Sequence, residues 1–234
     1  MNQIQTISLL LPLRMGRVNC YLIHSDSGFV LIDTGGSNSR KELLKELERL
    51  GCKPGSLRLI ALTHGDFDHT GNAAYLRAAF GGVIAMGADD LGMAEQGDMF
   101  VNRKRPNTLI QRLIPVLSGF GKSERFTPDV FLADGDDLTP YGVDARVISL
   151  PGHSKGSLGI LTASGDLFCG DLLDNTKQPA LNSLTDDMAT ANASLQKLRG
   201  MAIRTVYPGH GSPFPGNFLE SLSLPVPHQA RMDG

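Results

Sequence analysis

Between residues 63 and 72 the chain reads Thr-His-Gly-Asp-Phe-Asp-His-Thr-Gly-Asn, which packs His64, Asp66, Asp68 and His69 into one short stretch. Imidazoles and carboxylates at that density are the usual protein ligands of divalent metal ions. Two further histidines share one construction. Pro151-Gly152-His153 follows the apolar run 145–150, and Pro208-Gly209-His210 follows the run 205–207. In each a Pro-Gly turn stops a strand and a histidine stands at its exit. Between them the apolar stretch 166–171 ends in Asp171. Each residue taken alone also has an ordinary structural reading. A histidine at a turn often only hydrogen-bonds, and Asp68 or Asp171 would serve as a turn former or helix cap. Convergence argues for a site, because four of the 6 histidines stand at strand exits and two of those share one cluster.

The elements that must position these groups are legible around them. The run 57–62 reads as a buried strand and 72–80 as a helix with Ala73, Leu76, Ala79 and Phe80 on one face. The cluster therefore falls at a strand-to-helix junction, where extended backbone is expected to aim residues 64, 66 and 68 one way and turn His69 aside. Upstream, 18–24 and 28–33 flank a hairpin signal at 25–27, and the second run ends in Asp33-Thr34-Gly35-Gly36. Residues 39–50 predict an amphipathic helix with Leu43, Leu44, Leu47 and Leu50 inward, stopped by Gly51 and Pro54. A strand near 82–86 follows. Strands are then expected near 130–133, 143–149, 157–162 and 166–171, with a helix at 187–199, a strand at 204–207 and a proline-rich tail from Ser212 wrapping the surface. Residues 27–33 are echoed by 164–171, each a strand entered from a turn and leaving an aspartate at its end, a hint of two similar halves.

Composition narrows the class. With 234 residues, 41% hydrophobic and 20% charged, the chain has length for a substantial core and the make-up of a globular protein. The net charge of −2 gives no reason to expect nucleic acid or an anionic membrane as partner. Cys20, Cys52 and Cys169 are far apart with no CxxC pair, which argues against a disulfide framework or a structural zinc knuckle and favours a cytoplasmic location. The apolar run 7–13 lacks preceding basic residues and is broken by Pro12, so it reads as an edge strand and not as a leader or a membrane span.

These motifs together resemble the metallo-β-lactamase superfamily, marked by His-x-His-x-Asp-His followed by a distant His, Asp and His. The resemblance runs from about residue 7 to 211 and includes Asp33-Thr34-Gly35, Gly152-His153-Ser154 and Gly209-His210-Gly211. It implies an α/β fold, a four-layer αββα sandwich of two mixed β-sheets flanked by helices, with metal at one sheet edge. The whole chain, 1–234, would form a single such domain, with 88–128 an insert or lid. Carried over position by position, His64, Asp66 and His153 would hold one ion and Asp68, His69 and His210 a second, with Asp171 bridging. Asp33 would support ligands from behind, though it reads equally well as a turn aspartate. The chain departs from the pattern at Asp66, where the family has its second histidine. A carboxylate there favours iron or manganese relative to zinc and adds negative charge. Two divalent ions, zinc the commonest expectation, remain the implied cofactors.

The chemistry implied is metal-dependent hydrolysis of a small ester, thioester or lactone-like molecule by a metal-bound hydroxide, with Asp68 orienting the nucleophile and taking up its proton. Ser154 reads as a turn or helix cap and not as a nucleophile. The resemblance to glyoxalase-II-like hydrolases covers the core. The chain ends soon after His210, which is expected to leave out the helical domain that binds the glutathione thioester. The alternatives are an iron-dependent oxidoreductase, of the diiron reductase or persulfide dioxygenase kind, and β-lactam or phosphodiester hydrolysis. The expected partner is a small-molecule substrate, with neither nucleic acid nor membrane; residue types give no oligomeric state. Residues 88–128 are the least regular stretch, with helical segments expected near 88–96 and 107–118. There Met93, Met99, Phe100 and Phe120 are expected to form an apolar wall over the site. The triplet Arg103-Lys104-Arg105 reads as a solvated charged face or, alternatively, as a contact for an anionic substrate group.

Overall fold

In this computed structural model, which describes residues 3–25, 27–101, 103 and 121–222, the chain opens with β1 (Gln3–Leu10), β2 (Arg17–Ser25) and β3 (Gly28–Ile32). Helix α1 (Arg40–Arg49), β4 (Leu57–Ala61), the single turn α2 (Phe67–Thr70), α3 (Ala73–Phe80), β5 (Val83–Gly87) and α4 (Leu91–Gln96) follow. Then come β6 (Val130–Leu132), β7 (Ala145–Ser149), β8 (Leu158–Thr162), β9 (Asp166–Asn175) and β10 (Ala180–Leu181). Helix α5 (Met188–Arg199), β11 (Thr205–Gly211), β12 (Phe214–Pro215) and α6 (Phe218–Ser221) close the described chain.

The strands form two mixed sheets, ordered β1-β2-β3-β4-β5-β6 and β12-β11-β9-β8-β7, with β10 against β9. Strand periodicity sorts the side chains into layers. Tyr21, Ile23, Val30 and Ile32 of the first sheet meet Val147, Leu158, Ile160 and Phe168 of the second in a core between the sheets. Their neighbours Cys20, Leu22 and Leu31 point the other way, onto Leu43 and Leu47 of α1 and Leu76 of α3. On the far side Leu161, Leu167 and Cys169 pack against Ala191, Leu195 and Leu198 of α5. Both faces of each sheet are thus covered, which is why the central strands are apolar throughout and do not alternate with polar residues. The result is the αββα sandwich.

The echo between 27–33 and 164–171 marks equivalent strands. β3 runs antiparallel to β2 and parallel to β4, and β9 runs antiparallel to β8 and parallel to β11. α1 makes the crossover from β3 to β4, and α5 lies in the corresponding connection from β9 to β11. β1 is an edge strand as expected, but it spans Gln3–Leu10, and Pro12 starts a 3-10 turn beyond it.

Two expectations about strand ends are corrected. Asp171 lies inside β9, which continues to Asn175, and His210 lies inside β11, where the register with β9 shifts around Pro208. The Pro-Gly pair distorts the ladder without ending it. Residues 212–222 also pair and coil as β12 and α6. The helix expected near 107–118 lies outside the described residues, and 88–96 forms a 3-10 turn leading into α4. No helix among the described residues is long and apolar enough to cross a membrane.

Candidate metal centre

β4 delivers the dense motif. Beyond Ala61 the backbone stays open through Asp66, and α2 then carries Asp68 and His69 into a second set, with the His69 ring still 4.1 Å from that of His64. The expected common direction of residues 64, 66 and 68 therefore fails, because Asp68 is already helical. Asp66 stands at the N-cap position of α2 with φ −70° and ψ 146°, yet its carboxylate makes no capping bond and faces inward. Three sets of ligand atoms come within 4.8 Å of one another: His64, Asp66 and His153; Asp68, His69 and His210; and His64, His69 and Asp171. Asp171 lies between the first two sets. Its Oδ1 is 3.3 Å from His69 Nε2, and its Oδ2 is 3.2 Å from His210 Nε2 and 3.9 Å from His153 Nε2.

Hydrogen bonding from behind decides which nitrogen each ring presents. Asp33 accepts from the Thr63 backbone N–H, from Thr63 Oγ1 and from His69 Nδ1, each at 2.8 Å. Having donated its one proton to Asp33, the Thr63 hydroxyl can only accept from His64 Nδ1, 3.0 Å away. His210 Nδ1 donates to the Arg17 carbonyl at 2.7 Å. All three rings thus offer a bare Nε2 to the centre. Asp33, just beyond β3, adopts φ +58°, a left-handed conformation uncommon for residues other than glycine, as it reaches Thr63 and His69.

The donor set fits divalent metal. His64 Nε2, His69 Nε2 and Asp171 Oδ1 are buried and hydrogen-bond to nothing. His69 Nε2 and Asp171 Oδ1 are close but misaligned for bonding to each other. Buried polar atoms left in this way are costly, whereas lone pairs aimed at a shared point are what an ion requires. Gly209 shapes the floor of that point: a Cβ there would fall on Asp171 Oδ1 and lie 2.7 Å from His69 Cε1. Gly170 gives the kink before Asp171, with φ +51° and no room for a side chain beside Thr63 Oγ1. Gly209→Ala is expected to push the Asp171 carboxylate aside, lowering the melting temperature and weakening ion binding by about 10-fold, read as metal per chain after dialysis. Full retention of metal would refute this role for Gly209.

Carboxylates dominate the local field. Burial alone would pull His69, His153 and His210 down. The surrounding Asp171, Asp33 and Asp68 push His69 well above its ordinary value, Asp66 and Asp171 raise His153, and Asp171 and Asp68 push His210 up to about 11. Burial likewise works to raise Asp66, but the hydrogen bond with His153, the nearby His64 imidazole and the charge of Arg103 hold it well below the usual carboxylate range. In the ion-free protein the raised imidazoles keep a proton to higher pH than a free histidine does. That protonation stabilises the fold fully below the unfolded value of about 6.5, and the benefit is lost as pH rises through the folded value. Ion binding needs neutral imidazole and must expel those protons. The rise in melting temperature on adding a divalent ion should therefore widen from about pH 6 to about pH 8.5. A pH-independent rise would contradict the field described.

Several supporting residues carry no sequence signal of their own. Buried Asp90, next to α4, accepts from Gly65 N at 2.9 Å, Ser154 Oγ at 2.6 Å and Gly156 N at 2.9 Å, so it bolts the loop of His64 to the loop of His153. Ser154 is accordingly a buried hydrogen-bond donor. Asn19 and Tyr21 of β2 donate to the carbonyls of Pro208 and Gly211 on either side of His210. Their signal, a polar residue and a tyrosine within an apolar strand, is weak. Met93 does not form a wall over the site; it is buried under Gly65, whose Cβ would meet its sulfur at 2.7 Å. Arg103 is not a solvated charge either: it is 6% exposed and bonded to Asp66. Phe120, Lys104 and Arg105 lie outside the described residues.

Comparison with known proteins agrees with this geometry. The sequence model of the metallo-β-lactamase superfamily matches residues 13–210. YobT of Bacillus subtilis (strain 168) is 31% identical over 155 residues, 66% of this chain and 61% of that protein. The hydroxyacylglutathione hydrolase GloC of Haemophilus influenzae is 29% identical over 167 residues, 70% of each chain. The crystal structure of TTHA1623 in a di-iron-bound form superposes with a TM-score of 0.68 at 28% identity, covering 92% of this chain and 98% of that one. The chain belongs to the metallo-β-lactamase superfamily. It spans less than two thirds of the length of YobT.

Proposed function

We propose that the chain hydrolyses a small ester, thioester or lactone with the help of two divalent ions. The single observation that carries this reading is the convergence of unpartnered, buried Nε2 and carboxylate atoms on one point between the sheets. His64, Asp66 and His153 would hold one ion, Asp68, His69 and His210 the other, and Asp171 would span both. Bound there, divalent ions supply Lewis acidity and lower the pKa of water to about 7, which gives a nucleophile at neutral pH. The chain's own residues do the rest. Asp33, Thr63 and the Arg17 carbonyl fix the rings in the tautomer that presents Nε2. Asp68, 3.5 Å from His210 Nε2, is held ionised: burial raises its carboxyl, but His69 and His210 draw it below its ordinary value. As a carboxylate it can accept a hydrogen bond from the nucleophile and orient it, and it is the group assigned to take up the proton. His210 and Asp68 are the least buried members, so substrate approaches from their side.

Among carbonyl substrates a thioester is favoured, since the Haemophilus relative is named for hydrolysing one. A second reading, iron-dependent oxidation, draws on the two histidines and one carboxylate of the first set, a combination suited to non-haem iron, and on the di-iron form of TTHA1623. A panel of esters, thioesters, lactones, β-lactams and phosphodiesters should be run with zinc, manganese and iron forms. Chelator-sensitive turnover of a carbonyl substrate, with close to two ions per chain, is the expected result. Fewer than one ion per chain after reconstitution would end the dinuclear reading, and oxygen uptake confined to the iron form would favour the second.

A further inference from the structure

Arg103 is the one described member of a basic triplet, and the proposed hydrolysis gives it no role. Its position is built with care. After α4 the chain folds back through Asp98 N to Met93 O, Val101 N to Asp98 O and Arg103 N to Phe100 O. Gly92 leaves the space into which Val101 packs, a Cβ at Gly92 falling 2.7 Å from Val101 Cγ1. The guanidinium delivered by this fold donates from Nη1 to Asp66 Oδ1 at 2.5 Å, from Nε to Asp186 Oδ2 at 2.7 Å and from Nη2 to the His153 carbonyl at 3.2 Å. It therefore grips two members of the first ligand set at once, one by its carboxylate and one by its backbone. The other carboxylate oxygen, Asp66 Oδ2, faces His153 Nε2 at 3.0 Å and His64 Nε2 at 3.6 Å.

We propose that Arg103 is a positioning residue that makes Asp66 a one-oxygen ligand and offsets the negative charge this carboxylate brings where the superfamily pattern has histidine. The proposal rests on the reading of this site as a metal centre. With Oδ1 engaged by Arg103, Oδ2 is the oxygen left facing the two rings, so Asp66 would occupy one coordination position as an imidazole would. The guanidinium charge also restores the balance that the change from imidazole to carboxylate removes. Aspartate at position 66 and arginine at position 103 form one unit.

That unity gives a sign test. Zinc binding to the metal-free full chain should be measured by calorimetry for the native protein, Arg103→Gln, Asp66→His and the double variant, with thermal melts to confirm folding. Arg103→Gln is expected to weaken the ion held by the first set by about 10- to 100-fold. In the Asp66→His background the same change should leave binding unchanged or strengthen it, because an arginine beside an imidazole only repels the cation. Equal losses in both backgrounds would show a merely structural role and overturn the proposal. So would unchanged zinc affinity combined with a higher KM for anionic substrates alone, which would make Arg103 a substrate contact. If Asp66→His does not fold, Arg103→Lys decides: affinity between the native and glutamine values supports the proposal, and a loss as large as glutamine's overturns it. A native chain that binds no zinc would instead refute the metal-centre reading itself.

Discussion

Asp171→Ala is expected to lower turnover on the order of 10²–10³-fold and to leave the protein unable to retain both ions. The carboxylate lies within 4 Å of Nε2 of His69, His153 and His210, and no other described side chain reaches all three rings. Without it the two ligand sets are no longer joined, and three imidazoles lose the anion that holds them together. Asp171→Asn separates charge from shape. The amide has nearly the same volume and can still meet Asn182, whose Nδ2 lies 3.4 Å from Asp171 Oδ2, so folding should survive while ion binding falls. Metal per chain and turnover, measured on both variants, form the check. Two ions retained by Asp171→Asn with full activity would remove Asp171 from the centre.

The largest loss of stability is expected at Asp33. Its carboxylate is 2% exposed and takes three hydrogen bonds, from Thr63 N, Thr63 Oγ1 and His69 Nδ1. Asp33→Ala strands a buried backbone N–H, frees the Thr63 hydroxyl that fixes His64, and lets His69 change tautomer. A cost of about 3 kcal/mol is expected for breaking such a buried charged network, which for a chain of this size lowers the melting temperature by about 6–12 °C. Alanine must also adopt the φ of +58° that Asp33 shows, which adds strain. Asp33→Asn is the finer probe. Its oxygen can keep Thr63 N, but its amide then points an N–H at the Thr63 hydroxyl and at His69 Nδ1, which prefer an acceptor. Ion affinity should fall by about 10–100-fold with a much smaller drop in melting temperature. Equal effects from both substitutions would mean that Asp33 acts through packing alone.

The candidate site was legible in the sequence because histidine and carboxylate are common metal ligands and cluster densely at 64–69, and because two further histidines repeat a Pro-Gly-His construction after apolar runs. His64, His153 and His210 stand out as candidates on those grounds without knowing how the sheets meet. The layers were legible for a similar reason: runs such as 28–33 and 166–171 are apolar on both faces only when something covers both. The supports were harder to read. Asp90 gives no signal, because its three donors, Gly65, Ser154 and Gly156, are far from it along the chain and meet it only through tertiary packing. Arg103 reads as part of a solvated triplet, since a basic run looks the same whether its first member faces water or a buried carboxylate. Strand ends misled as well. A Pro-Gly pair ends an isolated strand, but β11 is held from the side by β2, so the ladder bends at Pro208 and continues to Gly211.

That lateral hold has a consequence for the order in which the molecule can be completed. His210 is gripped by Arg17 from the opposite sheet, and its flanking carbonyls by Asn19 and Tyr21. The first ligand set is incomplete without His153, and the second without His210. A chain emerging from the ribosome would therefore form its first sheet and display the dense motif long before it owned a full coordination shell. Metal capture by these two sets would then be a late event, possible only once the two sheets have docked.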